Sequence, residues 1–187
     1  MLLARSRRKA LGFALIEILT VTSIISGLQS QSSGTFRYAI SKANEIVGIN
    51  NLKQVYLLLQ AQMITEGYPK AAFYPKGDPK TDPQSIVRLV QGAPPQLFVS
   101  PFAPPALKEK GLTYAWNDTV NGKQPDAVPG NTWLMIDVVA FVADPKVERP
   151  SKYLVLYADG KAEAVTTLPA DIVKAVKEAQ EKLKEKE

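Results

Sequence analysis

The chain has 187 residues, a length that suits one domain with appendages. It contains neither cysteine nor histidine. This excludes disulfide scaffolds, thiolate zinc sites, cysteine nucleophiles, Ser-His-Asp triads and HExxH metalloproteases. The formal charge of +5 is concentrated at one end, where Arg5, Arg7, Arg8 and Lys9 lie, and the rest of the chain is close to neutral. The basic cluster therefore indicates membrane topology rather than binding to nucleic acid.

An apolar run from Ala10 to Leu28 follows the basic cluster and carries one charge, Glu17. As a helix the run would measure about 28 Å, close to the roughly 30 Å of bilayer hydrocarbon. The positive-inside rule predicts a cytoplasmic N-terminus and places the chain after Leu28 outside the membrane. A carboxylate inside such a run costs about 2.5 kcal/mol or more and is usually functional. These residues alone leave open a cleaved signal peptide, a plain anchor and a specialised assembly segment.

The sequence GFALIE at residues 12–17, after a basic leader, resembles the prepilin cleavage and methylation motif of type IV pilins and type II secretion pseudopilins. The resemblance implies that a prepilin peptidase cuts between Gly12 and Phe13, and that the new amine of Phe13 is N-methylated. It also makes Glu17 the acid at the fifth mature position. By the same resemblance, the protein enters the inner membrane as a single pass with a periplasmic C-terminal domain, and then joins a pilus or pseudopilus.

The partners implied by this resemblance are homologous pilin or pseudopilin subunits, the prepilin peptidase, the inner-membrane assembly platform and the lipid bilayer. Glu17 lies one helical turn after the amine that cleavage would create. A buried carboxylate is tolerated when a cation pairs with it, and such a pair can fix register. Our hypothesis is that the Phe13 amine of an incoming subunit neutralises Glu17 of its neighbour.

A second resemblance lies further along the chain. The sequence NNLKQ at residues 50–54, followed by GYP at 67–69, is similar to a stretch of prepilin-like paralogues of planctomycete and verrucomicrobial type. Those proteins carry a strand-turn-strand with Asp-Gly near their far end, and Asp159-Gly160 matches it here. The two resemblances together cover roughly residues 5–69 and 152–166.

Helical periodicity runs over residues 36–64, and we expect one apolar face to pack on a sheet. The members of this face are Leu52, Val55, Tyr56, Leu59 and Met63, extended upstream by Ile40, Ala43 and Val47. The polar patch at residues 29–34 is either a loosened part of the helix or a juxtamembrane linker.

Residues 67–131 hold most of the prolines and predict loops with short elements, among them a short helix or strand at 85–91. Strands are predicted at 111–116 and 132–143. A hairpin is predicted at 152–158 and 161–166, where Asp159-Gly160 indicates a two-residue type I′ turn. Pro169 suits the first turn of a C-terminal helix, whose apolar stripe is Ile172, Val173, Val176, Ala179 and Leu183.

The predicted fold class is α+β. A long N-terminal helix, transmembrane and then amphipathic, packs on a small antiparallel sheet, and a C-terminal helix follows; the resemblance implies that this arrangement is pilin-like. The predicted parts are a basic leader (1–12), the N-terminal helix (13–66), a loop-rich β domain (67–166) and the C-terminal amphipathic helix (167–187). Within the N-terminal helix, the membrane part covers about 13–28 and the amphipathic part about 36–64.

We expect a structural subunit rather than an enzyme, without cofactor or metal. The scattered acids match no calcium motif, and Asp159 is better explained as a turn residue. A DNA-contact patch at residues 68–76 is an unfavoured reading. The alternative from another class is a single-pass, membrane-anchored periplasmic binding or scaffold protein that does not polymerise. A secreted hydrolase is a third, weaker alternative.

Overall fold

A computed structural model describes the backbone of residues 3–141 and 152–184, and side chains at 34–141, 152–175 and 177–178. The chain divides into two compact units, Met1–Ala43 and Asn44–Glu187. The first unit is helical from Leu3 onwards, and the second carries the sheet. Among the described side chains, no helix is both long enough and apolar enough to cross a membrane.

The fold is α+β, as predicted. Four strands form an antiparallel sheet in the order β1-β2-β3-β4, so each strand pairs with its neighbour in the chain. The helices are α1 (Leu3–Glu66), α2 (Ile86–Leu89), α3 (Pro105–Glu109) and α4 (Ala170–Lys184). The strands are β1 (Tyr114–Trp116), β2 (Trp133–Asp137), β3 (Tyr153–Tyr157) and β4 (Ala162–Val165).

One face of α1 packs on the sheet, which confirms the predicted apolar stripe between residues 52 and 63. Leu52, Val55, Leu59 and Met63 are buried, and Tyr56 is half-buried. Each buried apolar side chain of this size contributes about 1.5–3 kcal/mol. The shared core is completed from the sheet side by Trp116, Leu134, Met135, Leu154 and Leu156.

The predicted upstream extension of this stripe is wrong. Ile40, Ala43 and Val47 are exposed, and burial of α1 begins at Gly48. A Cβ at Gly48 would overlap Leu154 Cδ1 and lie 3.3 Å from Pro101 Cδ. The contact between α1 and the sheet therefore begins at a glycine, whose missing side chain makes room for Leu154. The apolar residues before this glycine are not part of the contact. The backbone of α1 is also helical through residues 29–34, where we expected a loosened helix or a linker.

The other face of the sheet has its own core, to which α4 contributes Ile172. The amide of Val173 donates to the carbonyl of Pro169 over 2.9 Å, which places the proline at the start of the helix, as predicted. Val173 itself is exposed, and Val176, Ala179 and Leu183 lie outside the described side chains. The sheet side of this core consists of Ala115, Trp133, Ile136, Tyr153, Val155 and Tyr157.

The proline-rich region before β1 is held by side chains that bond to backbone. The Ser85 hydroxyl accepts from the amide of Val87 and caps α2, so the segment at 85–91 is a short helix. The indole of Trp116 donates to Asn121 over 2.8 Å, and the amide of Asn121 donates to the carbonyl of Ala71 over 2.8 Å. These bonds order long loops without regular structure.

The predicted strand at 132–143 is shorter than expected. The strand β2 ends at Asp137, and residues Val138–Phe141 form a 3₁₀ turn. Val139, Ala140 and Phe141 are nevertheless buried. The apolar run thus indicated burial correctly, but a turn packed on the second core meets that requirement as well as a strand does.

The hairpin is confirmed, but its predicted type I′ turn is wrong. The amide of Gly160 donates to the carbonyl of Tyr157, and the amide of Tyr157 donates to the carbonyl of Lys161, so the loop has three residues, 158–160. Gly160 has φ +83°, and Asp159 does not have positive φ. A left-handed glycine at the end of the loop is a common feature of three-residue hairpins. The Asp159 carboxylate accepts from the amide of Lys161.

Replacing Gly160 by alanine should cost about 2–4 kcal/mol in the free energy of unfolding. An alanine there pays for the left-handed backbone, and its Cβ would also lie 2.8 Å from Tyr56 Cδ1. Gly92 is the matched control, because it has φ +74° with no atom within 4 Å of a Cβ, so Gly92→Ala should cost only about 1 kcal/mol. Equal losses in urea unfolding would contradict the contact between the hairpin and α1.

Candidate functional site

The predicted processing and assembly residues lie outside the described side chains. The backbone of α1 includes residues 3–33, but none of their side chains is described. This applies to the cleavage and methylation site at Gly12 and Phe13, to Glu17, and to the membrane segment at 13–28. It applies equally to the basic residues of the leader, Arg5, Arg7, Arg8 and Lys9. The predicted turn residues Asp159 and Gly160 are described, and they form the hairpin loop.

Among the residues whose side chains are described, the candidate functional site is the outer face of α1 in the second unit. This face carries three large aliphatic side chains, Ile46, Leu57 and Ile64, which are 53%, 64% and 81% exposed. They lie roughly opposite the buried face, since α-helical positions advance by about 100° per residue. We call the following exposed residues the outer stripe: Ile46, Asn50, Lys53, Leu57, Gln60 and Ile64.

The outer stripe has the spacing of a helix–helix seam. Its members alternate by four and three residues along the chain, which is the a/d pattern through which two helices interlock. The apolar members could be buried by a partner helix, while Asn50 and Lys53 are polar residues of the kind that select register at a cost in stability. A helix face of this type can serve packing rather than chemistry.

The helix that carries the outer stripe is fixed to the sheet and its loops by polar contacts. The hydroxyl of Tyr56 donates to the carbonyl of Ala158 over 2.9 Å. The side-chain amide of Gln62 donates to the carbonyl of Leu89 over 3.0 Å. Near residue 44, where the second unit begins, Glu45 and Lys152 form an ion pair of 2.6 Å. The part of α1 that carries the outer stripe is therefore held in place by contacts with the rest of the second unit.

A shallow depression adjoins the far end of the outer stripe. It has a volume of about 320 Å³ and is formed by α1 and the loop at Pro125. Its lining from α1 includes Tyr56, Met63 and Ile64. The depression adds apolar surface beside the stripe, so a packed partner would contact both.

No group of three or more acidic side chains within the described ranges is arranged to hold a metal ion. The unfavoured DNA-contact patch at 68–76 loses its first aromatic residue, because Tyr68 is 1% exposed and belongs to the core.

A buried acid is the feature that sequence reasoning missed. Asp137 is 1% exposed, and its Oδ2 accepts from the amide of Leu154 over 2.6 Å. Burial raises the pKa of this carboxyl to about 6, although the bond from the amide of Leu154 and the nearby Ser100 hydroxyl act in the opposite direction. The only available indication in the sequence was an acid inside the apolar run TWLMIDVVAFVA at 132–143.

Comparison with known proteins identifies no relative: no protein-family model, curated protein or solved structure matches this chain.

Polar substitutions in the outer stripe should leave the isolated fold intact. Replacing Leu57 by serine removes exposed apolar surface and should change the free energy of unfolding by less than about 0.5 kcal/mol. Leu59→Ala, two residues further on the buried face, should cost about 2–5 kcal/mol. Urea unfolding of both variants measures the difference, and a large loss for Leu57→Ser would show that this side chain is already packed.

Proposed function

We propose that the protein is a structural subunit of a helical filament, of the type IV pilus or type II secretion pseudopilus kind. Residues 1–12 would be removed by a prepilin peptidase, and the mature chain would assemble through α1. The proposal rests on the motif GFALIE at 12–17, with an acid inside an apolar run after a basic leader. The pilin-like character of the fold and the membrane-spanning role of residues 13–28 belong to this proposal.

The observation that carries the proposal in the described residues is the two-faced character of α1. The helix packs one face on its own sheet and leaves exposed a seam-spaced face on which three of the six residues are large and aliphatic. A subunit that polymerises through its helix needs both faces, because one must hold the globular unit and the other must contact a neighbouring copy. Burying Ile46, Leu57 and Ile64 between copies would contribute about 1.5–3 kcal/mol for each side chain.

In this proposal the partners are other copies or homologous subunits, the prepilin peptidase, the inner-membrane assembly platform and the lipid bilayer. The protein passes through the inner membrane with its C-terminal domain in the periplasm, and then enters the filament. Its role is structural and needs neither catalysis nor a cofactor.

Processing provides the first test. The native protein should have the mass of a chain that begins at Phe13 with one N-methyl group, and intact-mass spectrometry measures this directly. Retention of Arg5–Lys9, or a cut near Ser30, would contradict the proposal. Those outcomes would favour a plain membrane anchor or a cleaved signal peptide.

Assembly provides the second test. Glu17→Ala should leave membrane insertion intact and abolish incorporation into filaments, because the amine of a neighbouring Phe13 would lose its counter-charge. Leu57→Ser combined with Ile64→Ser should also reduce incorporation, by removing apolar contacts between copies. Shearing and quantification of filaments measures both effects.

A matched control for the second test is Val173→Ser, which changes an exposed apolar residue on α4. This variant should assemble normally. Normal assembly of the Glu17 variant would overturn the proposed docking step, and normal assembly of the Leu57/Ile64 variant would remove the outer stripe from the interface.

A further inference from the structure

The carboxyl group of Asp137 is buried with one oxygen unsatisfied. Its Oδ2 accepts from the amide of Leu154, whereas its Oδ1 has no hydrogen-bond partner among the described residues. Tyr114 is its cross-strand neighbour in the pairing of β1 with β2. The hydroxyl of Tyr114 is likewise buried and has no hydrogen-bond partner in the described part of the chain. An ionised carboxylate would thus lack the bonds that normally stabilise a buried charge.

The acid lies where several segments meet. The Ser100 hydroxyl lies near the carboxyl of Asp137, whose pKa it lowers, and it accepts from the amide of Phe102. The amide of Ser100 in turn donates to the hydroxyl of Thr113 over 2.6 Å. The end of β2, the start of β3 and the loop at residues 98–102 therefore lie together around this carboxyl, beside the first residues of β1.

Two of these segments also contact α1. Leu154, whose amide bonds to Asp137, packs against Gly48, and so does Pro101, which follows Ser100. Gly48 is the first fully buried residue of α1 in the second unit. Asp137 is thus connected through Leu154 to Gly48, the position at which the sheet first contacts the helix.

We propose that Asp137 is an acid latch. When its carboxyl is neutral, the sheet packs closely against Gly48, and when the carboxyl is ionised, the contact between the sheet and residues 44–52 of α1 becomes looser. This inference is independent of the proposed function, because it concerns only the contact between the sheet and α1 within one copy of the protein. It would hold equally for a protein that does not polymerise.

Burial, rather than a neighbouring charge, favours the neutral form of Asp137. Tyr114 is the titratable side chain that faces it from β1, and burial together with the nearby Asp137 raises the pKa of this phenol well above its usual value. The charged groups that α1 and the start of β3 bring to this end, Glu45 and Lys152, are paired with each other. The amide of Leu154 donates a neutral hydrogen bond, which offsets the burial of a charge only in part.

The direction of the pH effect follows from these observations. The pKa of Asp137 is about 6 in the folded protein, above the ordinary 3.8. The folded state thus holds the proton more tightly than the open state, and the stabilisation is complete below the open-state pKa. It is lost as the pH rises towards the folded-state pKa, and it changes little above that.

Amide hydrogen exchange tests the latch. After correction for intrinsic exchange rates, the protection of Leu154 and of residues 44–52 should fall by roughly tenfold or more between about pH 4.5 and about pH 7.5. Protection of residues 59–66, at the other end of α1, should change by less than about threefold over the same range. Asp137→Asn keeps an acceptor for the amide of Leu154 and removes the titration, so its protection should be independent of pH.

Three further results decide the proposal. Ser100→Ala removes a neighbouring hydroxyl that favours the ionised form, so it should move the midpoint to higher pH, and Asp126→Asn, at an exposed acid, should reproduce the wild-type profile. Wild-type protection without pH dependence, or a uniform loss along the whole of α1, would overturn the latch. If Asp137→Asn does not fold, the wild-type and Ser100→Ala profiles still decide the question.

Discussion

The contact between α1 and the sheet is the constraint on which the rest of the structure depends. It begins at Gly48, where the missing side chain lets Leu154 approach the helix, and it continues through the buried residues to Met63. Because one face of α1 is used in this way, the opposite face is left with exposed apolar residues. The same contact thus defines the core of the globular unit and creates the surface that we propose for assembly.

Apolar packing and the buried carboxyl of Asp137 both contribute to the contact at Gly48. Packing of apolar residues along α1 is insensitive to pH and supplies most of the stability. Asp137 adds a polar contribution that depends on protonation, because it is buried and, within the described ranges, one hydrogen bond, from the amide of Leu154, offsets its charge. In the proposed latch, the contact between the sheet and the first turns of the helix in the second unit therefore depends on pH, whereas the contact near the end of the helix does not.

Much of the architecture was predictable because it follows from periodicity. The stripe from Leu52 to Met63 reflects regular spacing of apolar residues, and Pro169 indicated the start of α4. The exposure of Val47 was not predictable, since the approach of Leu154 to Gly48 depends on residues a hundred positions apart. The hairpin loop was misjudged because Asp-Gly suits both a type I′ turn and a three-residue loop, and the contact of Gly160 with Tyr56 lies outside the hairpin. The outer stripe was overlooked because Asn50, Lys53 and Gln60 interrupt its apolar pattern.

Thiol labelling tests most directly whether α1 has one face for its own sheet and one for another copy. The chain has no cysteine, so single cysteines can be placed at Leu57 on the outer stripe and at Lys123 on an exposed loop. We predict that a thiol at position 57 reacts rapidly in the isolated protein and becomes protected in the assembled filament, whereas a thiol at position 123 stays reactive in both. Equal reactivity of position 57 in the isolated and assembled forms would contradict the account.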